Sequence, residues 1–156
     1  MTLPGKNLHP KTEVRLVVDA NILVGELLRE RGRFLVADSR LELFSTARAW
    51  NEVQYELRKR VQLFTERRGV APDALQDLLD LAITVAEQQV TVVGDAEYSA
   101  HEAEARRRIP RDPDDWPTVA LALTLETDIW TADGDFLGCG VGTWTTETLL
   151  LQLEVQ

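Results

Sequence analysis

The sequence predicts an α/β fold on a mostly parallel sheet with a helical hairpin attached, and three observations carry that expectation. Leu16-Val-Val-Asp19 is an apolar run without alternation, the pattern of a strand buried on both faces of a parallel sheet. Further short apolar runs alternate along the chain with longer stretches whose apolar residues recur every three or four positions, as they do in helices. Acids stand where several of the short runs stop. In an open parallel sheet, ligands gather outside the carboxyl ends of the strands, so such an acid can serve chemistry as well as cap the next helix.

Composition narrows the class. The 156 residues suffice for a single core in two or three layers. No apolar run approaches the ~20 residues of a membrane span, and Met1-Thr-Leu-Pro-Gly-Lys lacks the apolar core of a signal peptide. The single Cys139 cannot form an internal disulfide, which agrees with a reducing compartment. A cytoplasmic protein with no membrane partner is expected. Residues 1–13, with two prolines, a glycine and no periodicity, read as a flexible N-terminal tail, and 14–156 as a single domain.

Each element follows from its own pattern. After the first strand, Ile22, Leu23, Leu27 and Leu28 have helical spacing, with Gly32 between Arg31 and Arg33 as the expected stop. Leu41 to Ser45 reads as a second strand, and Ser45 or Thr46 can cap a long helix to about Arg67. On that helix Trp50, Val53, Leu57, Val61 and Phe64 form the expected buried stripe, and Glu52 lies at its edge. Gly69-Val-Ala-Pro72 breaks it, and Pro72 opens a second helix through Leu75, Leu78, Leu79, Ala82, Ile83 and Ala86, so the two make the helical hairpin. Gln89 to Val93 is a third strand ending at Gly94. Tyr98 to Arg108 is a polar helix on which His101, between acids, reads as surface.

The densest chemistry comes next. Ile109 to Pro117 holds Asp112, Asp114, Asp115 and three prolines, then Thr118 to Leu125 continues as an apolar helix. Proline is tolerated in a helix's first turn, so Asp115 falls at or beside the N-cap. Capping needs one acid, and three so close repel unless something positive neutralises them. Asp128 to Thr131 is a short strand ending in Ala132-Asp133-Gly134-Asp135, and Gly142 to Thr146 and Glu147 to Leu153 read as a final strand and helix.

Asp19, Glu52, Asp115 and Asp133 thus flank strand ends or helix starts on one edge of the predicted sheet. No His or Cys accompanies them, which disfavours zinc and thiol chemistry. Clustered carboxylates suit hard cations such as Mg²⁺ or Mn²⁺, and such ions can activate water and stabilise the leaving oxygen of a phosphodiester.

The segments VVDANIL at 17–23, TARAWNEVQYEL at 46–57, DPDDWPTVALAL at 112–123 and TADGDF at 131–136 resemble, in order and spacing, the acidic motifs of the PIN-domain family. The resemblance implies a three-layer α/β/α sandwich and a metal-dependent ribonuclease. It extends to small VapC-type toxins, which implies an antitoxin protein as partner beside the RNA substrate, and a homodimer is expected. Carried over, Asp19 and Asp115 would be direct metal ligands, Glu52 and Asp133 would complete the catalytic quartet, and Asp135 would be an auxiliary acid. Asn21 and Thr131 would steady the carboxylates by hydrogen bonds. Asp112 and Asp114 compete for the role given to Asp115.

The net charge of −9 is unusual for an RNA binder. Basic residues nevertheless cluster as Arg58-Lys59-Arg60 beyond Glu52 and as Arg106-Arg107-Arg108 with Arg111 before Asp115, and these are the candidate RNA contacts. Read singly, each cluster is a solvated helix face. A phosphoryl-receiver domain would want a lysine late in the chain, but Lys59 is the last, and an aspartyl phosphatase would want an acid where Asn21 stands. A catalytically silent PIN-like module that binds RNA or protein is the alternative from another class, and its four acids would then have no task.

Overall fold

The structure is a computed structural model that describes residues 14–154. The tail expected over 1–13 lies outside the described residues. The first strand, β1 (Val14–Val18), leads into α1 (Ala20–Leu27) and α2 (Glu30–Val36). Next come β2 (Leu41–Thr46), the long α3 (Ala47–Arg68), α4 (Pro72–Gln89) and β3 (Val90–Val93). The chain continues through α5 (Asp95–Tyr98), α6 (Glu102–Arg108), α7 (Trp116–Leu125), β4 (Asp128–Trp130), β5 (Thr143–Trp144) and α8 (Thr146–Glu154). The five strands form one sheet in the order β3-β2-β1-β4-β5, and every neighbouring pair is parallel.

Both faces of the sheet are covered, which is why its central strands are apolar without alternation. Leu16 and Val18 of β1 join Leu43 and Trp130 in a core under α1, α2, α3, α4 and α8. Val17 points the other way, into a core with Phe44, Ile129 and the α7 residues Val119 to Ala122. Alternate residues of one strand feed opposite faces, and the result is a three-layer α/β/α sandwich. Successive connections run from β1 outward to β2 and β3, then return to place β4 on β1's other side. The carboxyl end of β1 is therefore the point where the winding reverses, which opens a crevice there.

Caps and breakers explain the element ends. Thr46 Oγ1 accepts from Ala49 N at 3.0 Å and so caps α3, rather than Ser45. Gly69, at φ 60°, closes α3 in the left-handed region that glycine enters without cost.

Several sequence expectations need correction. Gly32 is not a helix stop but lies inside α2, where a Cβ would collide with the Glu26 carbonyl, so this glycine lets α2 pack closely on the end of α1. On α3, Val53, Leu57 and Val61 are buried, but Trp50 is half-buried and Phe64 exposed, because the helix runs past the body it packs on. The helix expected over Tyr98 to Arg108 is split by a tight turn at Ser99–His101. The split follows Tyr98, whose buried ring meets Trp116 edge-on at 5.8 Å and whose hydroxyl donates to Asp95. Gln89 ends α4 instead of starting β3, and the last strand shrinks to Thr143–Trp144. Among the described residues no helix is long and apolar enough to cross a membrane.

Candidate active site

Backbone register brings the first and last acidic segments together. Val18 pairs with Trp130, and Asp19 N donates to Trp130 O at 3.0 Å, so Asp19 and Thr131 emerge side by side from the paired ends of β1 and β4. Thr131 is almost fully buried, and its hydroxyl donates to Asp19 Oδ2 at 3.0 Å. The same oxygen of Thr131 accepts from Asp133 N at 3.0 Å, and Asp133 Oδ1 accepts from Asp135 N at 2.9 Å. One chain of hydrogen bonds thus fixes the turn after β4 against the acid after β1.

Asp19 is the N-cap of α1 by position but makes no capping hydrogen bond. Its carboxylate is held above its ordinary pKa chiefly by burial, and secondarily by the negative charge of Asp133. Thr131 and the backbone amides of Asn21 and Ala20 act against that rise. The exposed Asn21 side chain bonds to no carboxylate among the described residues, so what this position brings to Asp19 is its amide.

Asp115 holds the equivalent position before α7, again without a capping hydrogen bond. Its pKa rises to about 7, first through burial and then through the charges of Asp112, Asp19 and Asp133. A carboxyl that accepts no capping amide and is crowded by three other acids is poorly explained as a cap. The other two acids of the loop face different ways. Asp112 hydrogen-bonds the Asp115 carboxyl, whereas Asp114 is 95% exposed and reaches Arg106 at 3.6 Å, away from the cluster. Trp116 seats this segment: its indole is buried and carries the guanidiniums of Arg48 and Arg106 at 5.2 and 5.5 Å from the ring.

Glu52, on α3, is more exposed than the other three. Burial still raises its pKa, as do the charges of Asp19 and of Glu56 one turn on. Glu56 was not singled out in the sequence, although an acid four residues from another on one helix face was the available signal. The basic candidates divide. Arg58, Lys59 and Arg60 are exposed and lie six to eight residues beyond Glu52, about 9–12 Å further along α3 at ~1.5 Å per residue. Arg107 and Arg108 both engage Glu104, at 2.7 and 2.8 Å, and Arg108 also donates to Cys139 O at 3.0 Å. Arg111 is exposed and has no ion-pair partner among the described residues.

The donor set is all oxygen. Among the described residues no three His, Cys, Asp or Glu side chains stand in a ready metal cage, but an Mg²⁺-like ion keeps several waters and is held through one or two carboxylates. Asp19, with one oxygen committed to Thr131, and Asp115, crowded by like charge, are the two that such an ion would relieve most. The residues fit the group.

Comparison with solved structures places the fold beside the crystal structure of PAE2754 from Pyrobaculum aerophilum. The two share 20% identity over 94% of this chain and 100% of that one, with a TM-score of 0.64. No curated protein matches. The family model described as PIN domain matches residues 17–154, which takes in every acid described above, and the chain belongs to the PIN-domain family, whose members are commonly nucleases.

Proposed function

We propose that this protein is a metal-dependent endoribonuclease that hydrolyses RNA phosphodiesters at the crevice between β1 and β4. The observation that supports it most is the meeting of negative charge at one place: Asp133 acts on Asp19, Asp19 and Asp133 act on Asp115, and Glu52 joins through Asp19. These acids come from four segments, and structural ion pairs do not account for the raised pKa values of Asp19, Glu52 and Asp115.

Asp19 and Asp115 would hold Mg²⁺ or Mn²⁺, and Asp133 and Asp135 stand behind them on the turn after β4. When bound, the ion supplies charge neutralisation at the phosphate and a more acidic water. Thr131 keeps one Asp19 oxygen directed, which leaves the other for the ion. Glu52, with its raised proton affinity and its place at the open side of the cluster, is suited to take a proton from water at the phosphate. A toxin role, with an antitoxin protein and a homodimer, belongs to the same reading and rests on the motif resemblance alone.

The silent binding module remains as a second reading because the carboxylates do not close into a three-ligand cage. Incubating labelled single-stranded RNA with Mn²⁺, with EDTA, and with Asp19→Asn separates the two. Cleavage that EDTA abolishes and that Asp19→Asn lowers by orders of magnitude with the fold retained is expected. A variant as active as wild type would overturn the site.

A further inference from the structure

A cleft of about 590 Å³ opens beside the acidic cluster, between the end of α6 and the loop that follows Asp133. Arg107, Pro110 and Arg111 line one wall, and Asp135 and Leu137 line the other. Both walls run directly into the site: Arg111 precedes Asp112, which bonds Asp115, and Gly134 follows Asp133. The cleft's own lining includes Asp135, whose amide donates to Asp133, so an RNA strand lying here continues toward the carboxylates.

The far wall is built and braced. Leu137 is 71% exposed on a loop whose neighbours are pinned: Phe136 and Cys139 are buried, and Arg108 ties the loop to α6 through the Cys139 carbonyl. Gly138 and Gly140 take φ of 79° and 82°, and a Cβ on Gly140 would collide with the Arg108 guanidinium. The bracing spends Arg108 on the loop, so it is a positioning residue rather than an RNA contact. It also holds an apolar side chain in water, in a cleft whose charged lining is three arginines and one acid, Asp135.

We propose that this cleft seats the nucleotide flanking the scissile phosphate, with its base against Leu137 and Pro110 and its phosphate at Arg111 and Arg107. Leu137 and Pro110 are apolar, and Arg111 is a cation without an internal partner. A polyanion carrying flat apolar bases matches that pairing of surfaces. A base can lie on Leu137 only when unstacked, which selects single-stranded or looped RNA over duplex. The inference rests on the ribonuclease reading above, and it explains how a protein of net charge −9 attracts RNA locally.

The test uses Leu137→Ser and Arg111→Ala with single-stranded RNA oligonucleotides, Mn²⁺ present, and measures KM, kcat and salt dependence. Leu137→Ser is expected to raise KM roughly ten-fold, with kcat and the Mn²⁺-induced rise in melting temperature unchanged. An oligonucleotide abasic at the flanking position should be bound equally by wild type and by Leu137→Ser. Arg111→Ala should lower the salt slope of binding by about one. Wild type that cuts RNA while both variants match it in KM and salt slope overturns the cleft assignment alone. Wild type that neither binds nor cuts RNA overturns the ribonuclease reading and the cleft assignment together.

Discussion

Replacing Asp115 by Asn should make the metal-free protein more stable at neutral pH. The native carboxyl titrates at about 7, against about 3.9 in an unfolded chain. Between those values the native state holds a proton that the unfolded state has lost, so stability falls as pH rises. The contribution is whole below about pH 4 and gone above pH 7. About three units at ~1.4 kcal/mol each would be about 4 kcal/mol for a sealed site, but Asp115 is half-exposed, and solvent screening reduces this to about 1–2 kcal/mol. Asn is nearly the shape of the protonated acid and cannot ionise. In EDTA, Asp115→Asn and wild type should therefore melt together at about pH 4 and separate by about 3–6 °C at pH 8, the variant higher. The lowered pKa values of Asp38, Asp95 and Glu104 act in the opposite sense at lower pH, and they cancel in the difference between the two proteins. Adding Mn²⁺ should reverse the order, since only wild type keeps the carboxylate that gains from the ion. A variant that melts at or below wild type at pH 8, or a gap that does not change from pH 5 to pH 8, would refute the idea that burial, reinforced by like-charge crowding, holds this carboxyl protonated.

Thr131→Val removes the hydroxyl that Asp19 Oδ2 and Asp133 N share. Cleavage should fall by at least about ten-fold, Mn²⁺ should bind more weakly by calorimetry, and stability should drop by about 1–2 kcal/mol; unchanged Mn²⁺ affinity would remove Thr131 from the site. Gly32→Ala forces a methyl into the Glu26 carbonyl and should cost about 1–3 kcal/mol in urea titrations, with an unaltered midpoint as the contrary result.

The parallel sheet was legible because its central strands are apolar on both faces. Val17 and Leu16 feed different cores, and a run buried on both sides cannot alternate. Asp19, Asp115 and Asp133 were legible as residues because each stands at an element boundary that glycine, proline or the end of an apolar run marks, whereas Glu52 lies inside α3 and was legible only as an acid at the edge of its apolar stripe. Their grouping was not, since Val18 meeting Trp130 depends on the order of strands, and no local pattern encodes that order. The same limit hid the roles within Asp112-Pro-Asp-Asp115: only the tertiary path shows Asp112 turned inward and Asp114 turned toward Arg106. Gly32 and Phe64 misled for a related reason. Gly32 answers a contact with another helix, and Phe64 lies on a stretch of α3 that outruns its support. Arg108 reads as one of three equivalent arginines, and only the Cys139 carbonyl distinguishes it.

The hydrogen bond from Thr131 to Asp19 joins residues 112 positions apart. During synthesis, Asp19 and Glu52 leave the ribosome well before the segment that completes their surroundings. A nascent chain that stops short of β4 has no hydroxyl to direct the first carboxylate and no Asp133 beside it. The acidic cluster therefore comes into being only when β4 docks against β1, late in translation. A chain cut short before β4 carries the first two acids without the constellation that they join.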